Sequence, residues 1–214
     1  MSFHTIIKNI LENVCQKFNK NELAYLAMTG KIENPLRDKI AFELHTNFNT
    51  QALVCREWKG PNENNRTDIA IIDKVTKEPK CLIELKAHST PRYEKEYGKF
   101  MLNDLRKMRT KADENTELYY IFFNNAIETE GIIDESFSSS IKYSHLINKA
   151  ISKQNSSDIA QTIETAWSRY IAENTLSINK IEKVKINCGE YYNWTISIIT
   201  YIYGPIFKDE LEGS

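Results

Sequence analysis

Residues 66–86 read RTDIAIIDKVTKEPKCLIELK: two apolar runs around a polar, proline-containing stretch, with Asp68 at the head of the first run and Glu84 and Lys86 at the tail of the second. Residues 67–73 (TDIAIID) and 80–87 (KCLIELKA) have the Ile- and Leu-rich content of strands, and KVTKEP supplies turn chemistry, so the stretch predicts a hairpin. Strand side chains alternate between faces with a period of two. If Ile72 opposes Lys80, then Asp68 opposes Glu84. Asp68, Glu84 and Lys86 then share one face with Ala70, Ile72 and Leu82, while Ile69, Ile71, Cys81, Ile83 and Leu85 take the other. A slip of one residue would send Asp68 to the wrong side. Apolar residues on both faces predict an interior hairpin.

Directly opposed side chains on antiparallel strands lie ~5 Å apart. Two carboxylates held that close repel each other unless a cation sits between them, and Mg2+ is bound through one or two carboxylates with other oxygen ligands. The Leu85 carbonyl is a further candidate ligand. Lys86 puts an ammonium on the same face, where it can hold a nucleophile or a phosphate oxygen. The spacing Asp68–x15–Glu84–x–Lys86 thus predicts metal-dependent phosphodiester hydrolysis. A structural salt bridge is the competing reading, although ion pairs of that kind usually lie on solvated surfaces and contribute little.

These residues resemble the core of the PD-(D/E)XK, or restriction-endonuclease-like, nuclease superfamily, whose members share an αβββαβ core. The resemblance implies that Asp68 and Glu84 bind Mg2+ or Mn2+ and that Lys86 assists hydrolysis of a nucleic-acid phosphodiester. It covers about residues 33–124 and departs from the family pattern at Thr67, where a proline usually precedes the aspartate. The superfamily often carries an acidic residue on its first core helix that reaches the metal through water. Glu43 is the residue carried over to that role; an edge glutamate on an amphipathic helix is otherwise a solvated one.

The flanking order agrees with such a core. Asn34-Pro35 resembles an N-cap followed by proline at the first helical position, with Leu36, Ile40, Leu44 and Phe48 recurring behind it. Arg37 falls within that apolar stripe near the helix start, where a charge should have a partner, and a neighbouring carboxylate is favoured over phosphate contact. Residues 52–58 (ALVCREW) read as the first strand, residues 96–112 as the second helix with Met101, Leu105, Met108 and Ala112 inward, and residues 117–125 (ELYYIFFNN) as a buried strand. This reading assigns Asp104 no role. The segments KGPNENNR (59–66) and HSTPRYEK (88–95) meet at the same end of the sheet. Together their Lys59, Asn62, Asn64, Asn65, Arg66, Arg92 and Lys95 are candidate nucleic-acid contacts, although each Asn alone is an ordinary loop residue.

The predicted class is therefore α/β: a mixed central sheet flanked by helices in a single domain over residues 1–214, with a helical extension at 1–32, the core at 33–125 and a C-terminal elaboration at 126–214. That elaboration holds a short helix at 141–152, a longer one opening at Asp158 and a hairpin from strands 181–188 and 193–203, which either extends the sheet or builds a dimer surface. A net charge of −1 argues against nonspecific coating of nucleic acid, and only seven glycines, with no Gly-rich phosphate loop, exclude the usual nucleotide-driven motor. Four cysteines without CxxC spacing predict reduced thiols. There is no signal-peptide pattern, and the stretch NWTISIITYIYGPI is too short and polar to span a bilayer, so a cytoplasmic chain with no membrane partner is expected. The expected function is a Mg2+- or Mn2+-dependent endonuclease acting on DNA in restriction or defence, alone, as a homodimer or within a defence complex. Repair, recombination, structure-specific or RNA cleavage is the alternative within catalysis. A noncatalytic nucleic-acid or protein-binding module on the same fold is the alternative outside it.

Overall fold

Ser2 caps the first helix, its hydroxyl accepting the Thr5 N–H at 3.3 Å, and α1 (Phe3–Asn13) turns Ile6, Ile7, Ile10 and Leu11 inward. The structure is a computed structural model and describes residues 2–60, 65–88, 93–128, 155–174, 181–192 and 194–211. After α2 (Glu22–Thr29) comes α3 (Glu33–Phe48), which buries Leu36, Ile40, Ala41 and Leu44. It starts earlier than the expected Asn34-Pro35 cap, with Ile32 at the N-cap. Pro35 sits inside the first turn, where N–H groups have no intrahelical acceptor and a proline forfeits no bond.

Three strands follow, β1 (Ala52–Trp58), β2 (Thr67–Asp73) and β3 (Pro79–His88), then α4 (Tyr93–Arg109), β4 (Glu117–Ile127), α5 (Ser156–Asn174), β5 (Ile181–Tyr191) and β6 (Trp194–Ile206). The described strands form one six-stranded sheet in the order β1-β2-β3-β4-β6-β5. β3 and β4 are parallel, joined through α4, and every other neighbouring pair is antiparallel. The sheet is accordingly mixed, as a crossover helix requires of its two strands.

Helices cover both faces. Ile69, Ile71, Ile83, Tyr119, Ile121 and Phe123 pack with the residues of α1–α3, whereas Ala70, Leu82, Tyr120 and Phe122 pack with Met101, Leu105 and Met108 of α4 and Ile163 and Trp167 of α5. β4 is buried from Leu118 to Ile127 because it is central and sandwiched. β5, at the edge, buries Val184, Ile186 and Cys188 in alternation. The C-terminal hairpin extends the sheet through β6 on β4; the helix expected at 141–152 lies outside the described residues. Cys15, Cys55, Cys81 and Cys188 are free thiols. No helix among the described residues is long and apolar enough to cross a membrane.

Candidate active site

The β2–β3 hairpin pairs Ile69 with Ile83, Ala70 with Leu82 and Ile71 with Cys81. One step further, that register sets Asp68 opposite Glu84. The expected Ile72–Lys80 pair does not form: a bulge after Ile71 puts Pro79 opposite Ile72. The irregularity falls at the turn end, so it leaves the carboxylate end in step. Ala70 and Leu82 face α4 and α5, and Ile69, Ile71, Cys81, Ile83 and Leu85 face α1–α3. Alternation carries Glu84 and Lys86 to the α4 side, where Lys86 meets Asp104, whereas the Asp68 carboxylate meets Arg37 of α3.

The Asp68 carboxylate reaches across to the backbone of β3. Its Oδ2 accepts the Leu85 N–H at 2.8 Å, and its Oδ1 lies 3.6 Å from Arg37 Nη1. Arg37 also pairs with Glu57. The inward charge on α3 thus finds the carboxylate partners that its place in the stripe demanded, and with an exposure of 14% it needs them. Glu57 takes a left-handed backbone at φ 53 and lies 3.7 Å from Arg66.

Burial raises the Asp68 carboxyl, as do the charges of Glu33 and Glu57, against the opposing pull of the Leu85 N–H and Arg37. Glu84 is pushed up to about 8, first by burial, then by the charges of Asp68 and Asp104, with Lys86 and the Asp68 N–H acting the other way. Both carboxyl groups are crowded by negative charge. Burial works against the Lys86 ammonium, yet Asp104, Glu84 and Glu33 together hold its proton above the ordinary lysine range.

Sequence reasoning missed three of these neighbours. Asp104 on α4 is 3.5 Å from Lys86 Nζ and 2.8 Å from Lys107 Nζ. Glu33, in the first turn of α3, accepts the Ala87 N–H at 2.9 Å and the Lys31 ammonium at 2.9 Å. Tyr120 stands beside Glu84 on the adjoining strand, its phenol driven well up by burial and by Asp104 and Glu84. Asp104 did carry a signal, since it lies three residues after Met101 and four before Met108, both inward.

Glu43 does not join the site. It pairs with Lys17 at 3.1 Å and lines a separate surface pocket with Asn9, Asn13 and Asn47. Ten residues of helix, ~15 Å, separate it from Glu33, the acid that α3 brings to this end. Lys59, Asn65 and Arg66 are exposed. The Asn65 carbonyl and the Thr67 hydroxyl accept from Lys111 Nζ at 2.7 and 3.1 Å, fastening the approach to β2 onto the end of α4. Asn62, Asn64 and Arg92 lie outside the described residues, as does the side chain of Lys95.

Among the described residues no three His, Cys, Asp or Glu side chains converge on one point as a metal cage would require. What the strands offer is a smaller donor set, two carboxylates at opposed strand positions and the Leu85 carbonyl, oxygen ligands of the kind that suit Mg2+ or Mn2+. The mutual repulsion of Asp68 and Glu84 is an excess of negative charge that a divalent ion would offset. Comparison of the chain with protein-family models, curated proteins and solved structures returned no match.

Proposed function

We propose that this chain is a divalent-metal-dependent endonuclease that hydrolyses DNA phosphodiester bonds, in restriction or another defence against foreign DNA, on a restriction-endonuclease-like αβββαβ core running α3–β1–β2–β3–α4–β4. The observation that carries the reading is the facing of Asp68 and Glu84 across β2 and β3, with Glu84 pushed up to about 8 by burial and by its acidic neighbours. Mg2+ or Mn2+, held by Asp68, Glu84 and the Leu85 carbonyl, would supply charge stabilisation at a phosphate oxygen and a more acidic water.

The chain's own residues account for the remaining tasks. Arg37 and the Leu85 N–H fix the Asp68 carboxylate. Lys86 presents an ammonium that donates to a phosphate oxygen or to the attacking water. Lys59, Asn65 and Arg66, exposed on the approach to β2, donate to backbone phosphates and set the position of the strand without reading its sequence. Asn62, Asn64, Arg92 and Lys95 belong to the same two segments.

The test is incubation of the purified chain with Mg2+ or Mn2+ and supercoiled plasmid, linear duplex, single strands, branched junctions and RNA, followed by sequencing of the ends. Fixed ends support restriction; scattered ends or cleavage confined to junctions or RNA support the alternatives within catalysis. No cleavage of any substrate, with Lys86→Ala indistinguishable from wild type, ends the enzymatic reading.

A second reading has its own support. Asp68 already has Arg37 and a backbone N–H as partners, so the same residues could be the structural ion network of a noncatalytic binding module. Calorimetry separates the two: the nuclease binds Mn2+ and loses that binding in Asp68→Asn, whereas the module has no site for the ion.

A further inference from the structure

Asp104 is 5% exposed, an acid placed among the apolar residues that α4 turns toward the sheet. A buried carboxylate is strongly unfavourable without cationic partners. Lys107, one turn along the same helix, supplies one at 2.8 Å. Charge balance therefore does not by itself require the second partner, Lys86 Nζ at 3.5 Å.

Lys86 is the ammonium with a choice. Its flexible four-carbon stem rises from β3 two residues after Glu84, and Glu84, Glu33 and Asp104 all act on it electrostatically. Asp68 and Glu84 act on each other across the two strands, and the space between them is the position a divalent ion would occupy. A lysine that dropped into that gap would neutralise the repulsion and compete with the ion. The ammonium instead meets Asp104 at ion-pair distance, on the helix side.

We infer that Asp104 is a positioning residue, which holds the Lys86 ammonium beside the Asp68–Glu84 gap rather than within it and so keeps the gap open to a divalent cation. The inference rests on the metal-dependent reading proposed above. It differs from a general electrostatic role for Asp104, because the effect passes through Lys86 and vanishes without it.

A double-mutant cycle read by calorimetry with Mn2+ alone tests this on the full chain, using wild type, Asp104→Asn, Lys86→Met and the double variant. Asp104→Asn should weaken Mn2+ binding by ~10-fold when Lys86 is present and by less than ~3-fold when residue 86 is Met, a coupling of the size found between residues in contact. Asp104→Glu, which keeps a carboxylate within reach, should restore binding to within ~3-fold of wild type. Equal weakening in both backgrounds would mean that Asp104 acts by its charge alone and overturns the inference, as would no weakening in either. Failure of the wild type itself to bind Mn2+ overturns both this inference and the metal-dependent reading, so the two failures are distinct. If Asp104→Asn does not fold, the wild-type chain decides. Acylation of Lys86 by an amine-reactive reagent, followed by peptide mass spectrometry, should proceed at the same rate within ~2-fold with and without saturating Mn2+; a rise of ~10-fold would show that the ion expels the ammonium from the gap and overturns the inference.

Discussion

Replacing Glu84 by Gln removes the most strongly crowded carboxyl of the site and should stabilise the metal-free chain in a pH-dependent way. Glu84 is raised from its ordinary 4.5 to about 8 in the folded chain, so the native state favours the protonated form more than the unfolded state does. Its contribution to stability is complete below pH 4.5 and is lost progressively as pH rises to about 8, beyond which the loss is constant. The full displacement sets a ceiling of ~5 kcal/mol. Relaxation around the buried carboxylate, and titration linked to that of Asp68, bring the expected loss to ~3 kcal/mol, or ~6–12 °C in melting temperature for a chain of this length. The assay is thermal unfolding of wild type and Glu84→Gln in EDTA between pH 5 and 9. The variant should gain on wild type from pH 5 to about 8 and hold that gain to pH 9, and Mn2+ should recover the loss in wild type but not in Glu84→Gln. Parallel pH profiles in EDTA would refute the crowding argument.

Three further outcomes follow from the same geometry. Lys86→Ala should reduce cleavage by ~100-fold or more while leaving the melting temperature within a few degrees of wild type, because it removes an ammonium acting on the substrate rather than core packing; a binding assay beside the kinetics checks that the loss is not in substrate affinity. Arg37→Met should destabilise the chain by ~1–3 kcal/mol in urea titration, since it leaves Asp68 and Glu57 without their shared cation. Glu33→Gln should alter Mn2+ binding measured by calorimetry, whereas Glu43→Gln, which breaks only the contact with Lys17, should leave it unchanged within ~2-fold, as expected for a partly exposed pair remote from the site.

Much of this arrangement is legible in the chain. Alternation within TDIAIID and CLIELK, joined by a turn-forming stretch, predicts the hairpin and the step of its carboxylate end, because a hairpin is local and a slip would expose an entire apolar face, but it does not foresee the bulge that puts Pro79 opposite Ile72. The stripe of Leu36, Ile40 and Leu44 likewise marks the inner face of α3 and shows that Arg37 needs a partner, with a carboxylate favoured over phosphate. Its partners, Glu57 and Asp68, come from other elements, and no local pattern names them.

Where the reading stopped, the missing information was which end of each helix meets the strand tips. The sequence opens this helix at Asn34-Pro35, which leaves Glu33 outside it and Glu43 as the acid carried over, and a helical wheel locates a residue around the axis but not along the sheet. Packing chose Glu33, whose carboxylate meets the Ala87 N–H just beyond Lys86. Asp104 stands at an inward position by spacing alone, but its pairing with Lys86 exists only because the crossover from β3 to β4 lays α4 over that face of the sheet. Local periodicity is encoded in neighbouring residues and survives in the sequence as a pattern. Contacts between Arg37 and Asp68, or between Lys86 and Asp104, arise from how separate elements dock, and only the folded chain decides them.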